Sequence, residues 1–244
     1  MTGLASNETV QETEGGFIFL IDKSLHWTSF DVVNKMRYAL KIKKVGHAGT
    51  LDPLATGLVI VCAGKATKQI ESFMATEKEY TGTIRLGVTT PSYDLETETD
   101  QEYPTDHITI ELIHQKATEF LGPQMQVPPI FSALKVDGKK LYELARKGKE
   151  AKIEPRPIEI KEFEITAVRM PEVDFRVVVS KGTYIRSLAF DFGKACGSGA
   201  VLSALRRTRV GDFDVKNALT IPDWLEWWQQ KEMLEIDNSE PPTE

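Results

Sequence analysis

The sequence has few cysteines, no long apolar run and no basic, apolar start, and each absence argues against a class of protein. Cys62 and Cys196 are too few and too far apart for a disulfide framework or a zinc site. We therefore expect buried free thiols in a cytoplasmic protein. No apolar run approaches the roughly 20 residues that a membrane helix needs, so we expect no membrane association. Residues 1–16 carry three acids and no Lys or Arg, which is unlike a secretory signal.

The formal net charge of -6 does not by itself oppose nucleic-acid binding, because the charge is unevenly distributed. Residues 223–244 hold seven acids and one Lys, which equals the whole net charge. Residues 35–47 hold five Lys or Arg and no acid, and residues 135–161 hold nine against five acids. Phosphate binding depends on such local basic faces rather than on the sum. Each cluster taken alone is also compatible with an ordinary solvated surface.

The spacing of apolar residues predicts an α+β fold, with a central mixed or antiparallel sheet flanked by helices. Helical spacing after Thr28 and Ser29 predicts a helix reaching Leu40. Period-two alternation or short apolar runs predict strands at residues 17–21, 58–63, 78–88, 158–168 and 174–180. Further short helices are expected at residues 66–74, 110–120, 188–194 and 200–205.

The same patterns suggest a simple domain organisation. We expect residues 1–16 to be a disordered lead and residues 17–220 to form one main domain. Residues 122–157, which are rich in proline at both ends and basic in the middle, are expected to be an insertion standing off that domain. Residues 221–244 are expected to form a short Trp-rich helix followed by an acidic tail.

The most informative stretch is residues 46–57, which read G-H-A-G-T-L-D-P-L-A-T-G. Three glycines and a proline predict a constrained loop, and Asp52 lies in it among apolar neighbours. A carboxylate held in this way suits nucleophilic catalysis. Local chemistry alone leaves a second interpretation open, in which Asp52 caps a turn, since Asp-Pro is a common turn pair. The loop matches neither common phosphate-binding glycine pattern.

These twelve residues closely resemble the catalytic signature of the TruB family of tRNA pseudouridine synthases. Further segments resemble the family's other motifs in the same order: Lys23 with residues 28–33, then residues 64–68, 78–87, 126–135, 181–186 and 205–207. The resemblance covers roughly residues 17–220. It departs at Ser24, where the family usually has Pro. The resemblance is to a short form of the family that lacks the C-terminal RNA-binding PUA domain.

The resemblance implies roles for seven residues in converting uridine 55 of the tRNA T loop to pseudouridine. Asp52 is the nucleophile, attacking either the base or the anomeric carbon of the ribose, and Arg186 is its ion-pair partner. Tyr80 stacks on the flipped base, and Tyr184 and Leu205 line the pocket. His47 contacts the T loop. Lys23 is assigned to substrate binding, and structural support of the active-site loop is left open as an alternative. The resemblance implies neither a metal nor another cofactor.

The resemblance also implies how RNA is held. The basic part of the 122–157 insertion grips the T stem-loop, with phosphate contacts that are sensitive to salt and blind to sequence. The residues expected to make them are Lys135, Lys139, Lys140, Arg146, Lys147 and Lys149. We expect a monomer that needs no guide RNA or protein partner.

Two rival functions belong to other classes. An RNA chaperone without catalysis would keep the basic clusters but would not need Asp52, Tyr80 and Arg186 together. A nucleoside or glycoside hydrolase would use Asp52 at an anomeric carbon but generally needs a second carboxylate. No matched motif contains a candidate for that second carboxylate. A guide-RNA-dependent relative of the same family would normally carry the PUA domain.

Overall fold

The computed structural model describes residues 9–132, 134–136, 139–141 and 153–237. The chain divides into two compact units, the first comprising Met1–Thr76 with Arg207–Glu244 and the second Glu77–Arg206. Strand β13, Ala200–Val210, contributes residues to both. The α+β class is confirmed, with helices flanking a sheet whose strands are mainly antiparallel. No helix among the described residues is long and apolar enough to cross a membrane.

In the first unit, strands β1, β2 and β4 are neighbours in that order, and β3 also pairs with β4. The elements are β1 (Val10–Thr13), β2 (Gly16–Lys23), α1 (Ser29–Leu40), β3 (Val45–His47), β4 (Ala55–Gly64), α2 (Ile70–Ala75), β14 (Phe213–Asp214) and α5 (Ile221–Asp237). Helix α1 begins where predicted, because Thr28 and Asp31 cap its first turn reciprocally. It ends at Leu40, and the following residue, Lys41, has a left-handed backbone.

The core of the first unit lies on both faces of β2 and β4, which explains their continuous apolar runs. On one face Ile18, Leu20 and Ile60 pack together with the segments that follow β4 and β13. On the other face the ring of Phe19 meets Trp224 edge-on at 5.4 Å. Trp224, Trp227 and Trp228 of α5 therefore anchor the C-terminal helix to this unit, as ordinary core packing would.

In the second unit, the strands run in the order β13, β5, β12, β11, β8, and the β5–β12, β12–β11 and β11–β8 pairs are antiparallel. The elements are β5 (Lys78–Leu86), β6 (Val88–Thr89), β7 (Gln101–Glu102), α3 (Ile110–Glu119), β8 (Gly122–Gln126), β9 (Lys135–Val136), β10 (Lys139–Lys140), β11 (Arg156–Arg169), β12 (Glu172–Val179) and α4 (Ile185–Ala195). Phe163 and Phe192 lie 5.6 Å apart and tie α4 to β11.

Three expectations from the sequence are wrong. Residues 1–16 are not wholly disordered, because β1 pairs with β2 across a turn at Gly15, whose φ is 78°. Residues 1–8 lie outside the described residues. Residues 200–205 form strand rather than helix, because they belong to β13 inside a sheet. The predicted insertion at 122–157 is shorter at both ends, because β8 and the start of β11 pair with each other within the sheet.

Candidate active site

Asp52 lies on the short connection between β3 and β4. The two strands pair directly, with His47 opposite Val61, and the Ala48 amide donates to the Ile60 carbonyl at 2.9 Å. The chain then turns back, and the Ala55 amide donates to the backbone carbonyl of Asp52 at 3.0 Å. The backbone carbonyl of Asp52 therefore closes this turn.

Two hydrogen-bonded contacts fix the backbone on either side of Asp52. The Ser29 hydroxyl accepts from the Leu51 amide at 2.8 Å and donates to the Leu51 carbonyl at 3.2 Å. After Asp52, the Pro53 carbonyl accepts from the His26 amide at 2.8 Å. Leu51 itself is buried, so the loop is held by packing as well as by hydrogen bonds. The first turn of α1 and the segment before it thus position the Asp52 backbone.

Arg207, to which the sequence assigned no role, holds the Asp52 loop in place through hydrogen bonds. Its guanidinium, in a residue only 1% exposed, donates to the carbonyls of Leu58 at 2.7 Å, Gly49 at 3.2 Å and Thr50 at 3.4 Å. The Arg207 backbone packs against Gly57, where φ is 105° and an added Cβ would lie 2.3 Å from the Arg207 carbonyl oxygen. Only glycine fits this contact.

Lys23 is brought close to Asp52. It ends β2 opposite Gly57, it is fully buried, and its ammonium donates to the carbonyls of Trp27 at 2.7 Å and Ser24 at 3.0 Å. The pKa of Lys23 is lowered to about 8, mainly by burial; the carboxylate of Asp52 opposes this shift, and the charge of Arg207 adds to it. The first unit therefore gathers the carboxylate, Lys23 and Arg207 in one place.

His47 occupies the last position of β3, at the start of the same loop. Burial lowers the pKa of its imidazole, and the positive charge of Arg207 lowers it further. The ring is therefore neutral at neutral pH and can act as a hydrogen-bond donor or acceptor. Contact of His47 with the T loop stays a prediction.

Arg186 belongs to the second unit and lies in the first turn of α4. The residue is 5% exposed, and its guanidinium donates to the carbonyls of Phe131 at 2.9 Å and Ser92 at 3.2 Å. The nearby carboxylate of Asp94 lies 3.6 Å from the Arg186 Nε. Asp94 is itself buried and was not singled out from the sequence. The ion pair between Asp52 of the first unit and Arg186 stays a prediction.

The segment before Arg186 is fixed by Gln126. The side-chain amide of Gln126 accepts a hydrogen bond from the Tyr184 backbone N–H at 2.8 Å and donates one to the Tyr184 backbone carbonyl at 3.0 Å. Tyr80 is buried on β5 opposite Val177, and Leu205 is half-buried on β13. The roles predicted for Tyr80, Tyr184 and Leu205 at the target base remain predictions.

The structure describes only some of the residues that are predicted to contact phosphates. Lys139 and Lys140 form β10, which pairs with β9 through Val136 and Lys135. Arg146, Lys147 and Lys149 lie outside the described residues. Among the residues that are described, no three His, Cys, Asp or Glu side chains are grouped as ligands of a metal ion.

Comparison with known proteins gives consistent matches along nearly the whole chain. Residues 37–185 match the model of the TruB family pseudouridylate synthase N-terminal domain, and residues 186–238 match that of the tRNA pseudouridylate synthase B C-terminal domain. A tRNA pseudouridine synthase B from Flavobacterium johnsoniae is 58% identical over 87% of this chain and 96% of the relative. A protein of the same name from Phocaeicola vulgatus is 52% identical over 91% of this chain and 97% of the relative.

Solved structures give the same fold. The crystal structure of a Cbf5-Nop10-Gar1 complex contains a chain that is 29% identical, with a TM-score of 0.69, and the match covers 92% of the present chain. The present chain spans 57% of the length of that solved chain. A structure of an H/ACA RNP bound to a substrate RNA contains a similar chain, with 27% identity and a TM-score of 0.65, covering 88% of the present chain and 55% of that one.

Proposed function

Because the chain belongs to the TruB family of pseudouridylate synthases, we propose that it converts uridine to pseudouridine in tRNA, at position 55 of the T loop. It is an isomerase, as its relatives named tRNA pseudouridine synthase B are. The observation that carries the proposal is the loop bearing Asp52. It is fixed by Ser29 and Arg207 and lies next to a buried Lys23.

The reaction exchanges one bond of the target nucleotide for another. The bond between N1 of uracil and C1′ of ribose breaks, a bond between C5 and C1′ forms, C5 loses its proton and N1 gains one. Asp52 acts as the nucleophile, either at the base or at C1′. A loop held by backbone hydrogen bonds supports this role because the carboxylate loses little conformational freedom when it reacts.

The other site residues act on the target nucleotide before and during this step. The nucleotide must be flipped out of the folded T loop, which costs a few kcal/mol. Tyr80 stacks on the flipped base, Tyr184 and Leu205 line the pocket, and His47 contacts the T loop. Arg186 pairs with the carboxylate of Asp52. Lys23 adds positive charge close to the same carboxylate as long as it is protonated.

RNA binding is assigned to the basic segment around β9 and β10. Lys135, Lys139, Lys140, Arg146 and Lys147 contact phosphates of the T stem, so affinity falls with salt. The enzyme works as a cytoplasmic monomer and finds its target without a guide RNA or a protein partner.

The direct test is incubation of the purified protein with an unmodified tRNA transcript and no other RNA or protein. We expect a single pseudouridine, mapped by chemical probing to position 55. A transcript in which uridine 55 is replaced by cytidine is the matched control and should remain unmodified. Absence of pseudouridine from the first transcript, or its appearance only after a second RNA is added, would overturn the proposal.

A further inference from the structure

Helix α1 has an outer face that the proposed mechanism does not use. Its inner face buries Val32, Val33, Met36 and Leu40. The outer face exposes a stripe four residues apart, formed by Phe30, Asn34 and Tyr38, with Lys35 beside it. We call this stripe, together with Lys35, Lys41, Lys43 and Lys44, the α1 face.

The α1 face is strongly basic. Residues 35–47 contain five Lys or Arg and no acid, and Lys35, Lys41, Lys43 and Lys44 are all exposed. Arg37 is used differently, because its guanidinium donates to the Asn34 side chain at 2.7 Å and to the Val45 carbonyl at 3.2 Å. The four exposed lysines are therefore the charges that this face offers to a partner.

The acids near the α1 face do little to neutralise it. Asp31 accepts from the backbone amide and the hydroxyl of Thr28 within the cap of α1. Glu232 lies 3.8 Å from Lys41, but both side chains are substantially exposed, and exposed ion pairs of this kind are weak. The face as a whole therefore complements a polyanion.

Two large aromatic side chains stand out from this basic face. Tyr38 is 87% exposed and Phe30 is 60% exposed. They are separated by eight residues, which corresponds to roughly 12 Å along a helix axis. Aromatic rings left in solvent between lysines are typical of surfaces that bind single-stranded nucleic acid, because bases stack on the rings while the lysines contact phosphates.

One end of the α1 face is fixed next to Asp52. Ser29, the residue before Phe30, exchanges hydrogen bonds with the backbone of Leu51, which precedes Asp52. The face extends from this point to Lys44, beyond the C-terminal end of the helix. An RNA strand whose target nucleotide reaches Asp52 could therefore continue along the helix.

We propose that the α1 face is a second RNA-binding surface, which holds an unpaired stretch of the substrate strand next to the target nucleotide. Lys35, Lys41, Lys43 and Lys44 contact phosphates, and Phe30 and Tyr38 stack on bases. The proposal rests on the proposed function, in that the substrate is RNA. It adds a contact surface separate from the segment around β9 and β10.

The experiment compares two double variants, each of which removes two positive charges. Lys35→Gln with Lys41→Gln alters the α1 face, and Lys194→Gln with Lys216→Gln removes two exposed lysines from other elements. The dissociation constant for an unmodified tRNA transcript is measured between about 50 and 200 mM salt. The first variant should weaken binding and reduce the salt slope by about 0.7–0.9 for each lost phosphate contact, whereas the second should match the wild type.

Stacking is tested separately at Tyr38. Tyr38→Ala should weaken binding about fivefold or more, while Tyr38→Phe, which keeps the ring, should bind like the wild type. Circular dichroism confirms that each variant is folded. Equal salt slopes for the two lysine variants, or equal affinities of the wild type and Tyr38→Ala, would overturn the proposal. Binding is read without catalysis, so a wild type that binds tRNA but makes no pseudouridine would contradict only the proposed function.

Discussion

Two buried arginines, one in each unit, differ in what they hold in place. Arg207 donates to three backbone carbonyls, those of Gly49, Thr50 and Leu58. Arg186 donates to two carbonyls, those of Phe131 and Ser92, and also lies 3.6 Å from the carboxylate of Asp94. The first arginine thus fixes a loop, and the second is itself fixed by the chain around it.

The difference indicates what each arginine contributes. Removing Arg207 takes this donor from the buried Leu58 carbonyl, which is costly, and also removes the hydrogen bonds to the less buried carbonyls of Gly49 and Thr50. Its main effect is therefore on stability and on the conformation of the Asp52 loop. Arg186 is held in place by Asp94, and a guanidinium held in this way is suited to interact with a further negative group. Its main effect is therefore expected on the reaction.

The largest effect on stability is predicted for Arg207→Met. The substitution preserves much of the side-chain volume but removes all three donors, and we expect the free energy of unfolding to fall by about 3–5 kcal/mol. Urea denaturation measures this loss. Arg206→Met is the matched control, since Arg206 is the neighbouring residue and is only partly buried, and it should cost less than about 1 kcal/mol. Equal losses for the two variants would show that Arg207 does not brace the loop.

A smaller effect on stability is predicted for Asp94→Asn. The variant keeps the shape of the side chain but removes a buried charge that faces Arg186, so we expect a loss of about 2–3 kcal/mol in unfolding free energy. We also expect turnover at saturating tRNA to fall about tenfold, because Arg186 is less firmly positioned. Asp100→Asn, which loses only the carboxylate that accepts from Thr89 at 2.7 Å, should keep its turnover. Unchanged turnover of Asp94→Asn would mean that Asp94 only supports packing.

The smallest effect is predicted for the pH dependence contributed by Lys23. Its pKa is lowered to about 8 in the folded protein, mainly by burial, from 10.5. The unfolded chain therefore binds more protons between these values, and the contribution of Lys23 to stability rises as pH increases through this window.

The test compares the wild type with Lys23→Met by urea denaturation at two pH values. The difference in unfolding free energy should shift by about 1–2 kcal/mol in favour of the wild type between about pH 7.5 and pH 9.5. All other titrating groups are common to both proteins and cancel in the comparison. A difference that is independent of pH would place the ammonium of Lys23 in solvent and away from Asp52 and Arg207.

The helices and strands that could be predicted from the sequence are those whose own residues carry the pattern. Helix α1 was predicted to begin at Thr28 and Ser29, because capping residues act within one turn. Strands β11 and β12 were predicted from period-two alternation, which reflects burial on one face. Residues 200–205 were misassigned to a helix because a short apolar run suits either structure, and only neighbouring strands decide between them.

The supporting residues of the site could not be predicted, because their partners lie far away in the chain. Arg207 lies in the matched segment 205–207, but the carbonyls that it contacts belong to residues about 150 positions earlier. Asp94 lies in no matched segment, and only the fold brings it to Arg186. Asp52, Lys23 and Arg186 were identified from motif resemblance rather than from physical pattern.

The single-turnover rate of Asp52→Asn tests whether the loop held by Ser29 and Arg207 presents Asp52 as the nucleophile. The substitution retains the shape of the side chain and removes its charge. The rate should fall by on the order of 10⁴ or more, with tRNA affinity close to that of the wild type. A rate within tenfold of the wild type, measured on the same transcript, would contradict this role of Asp52.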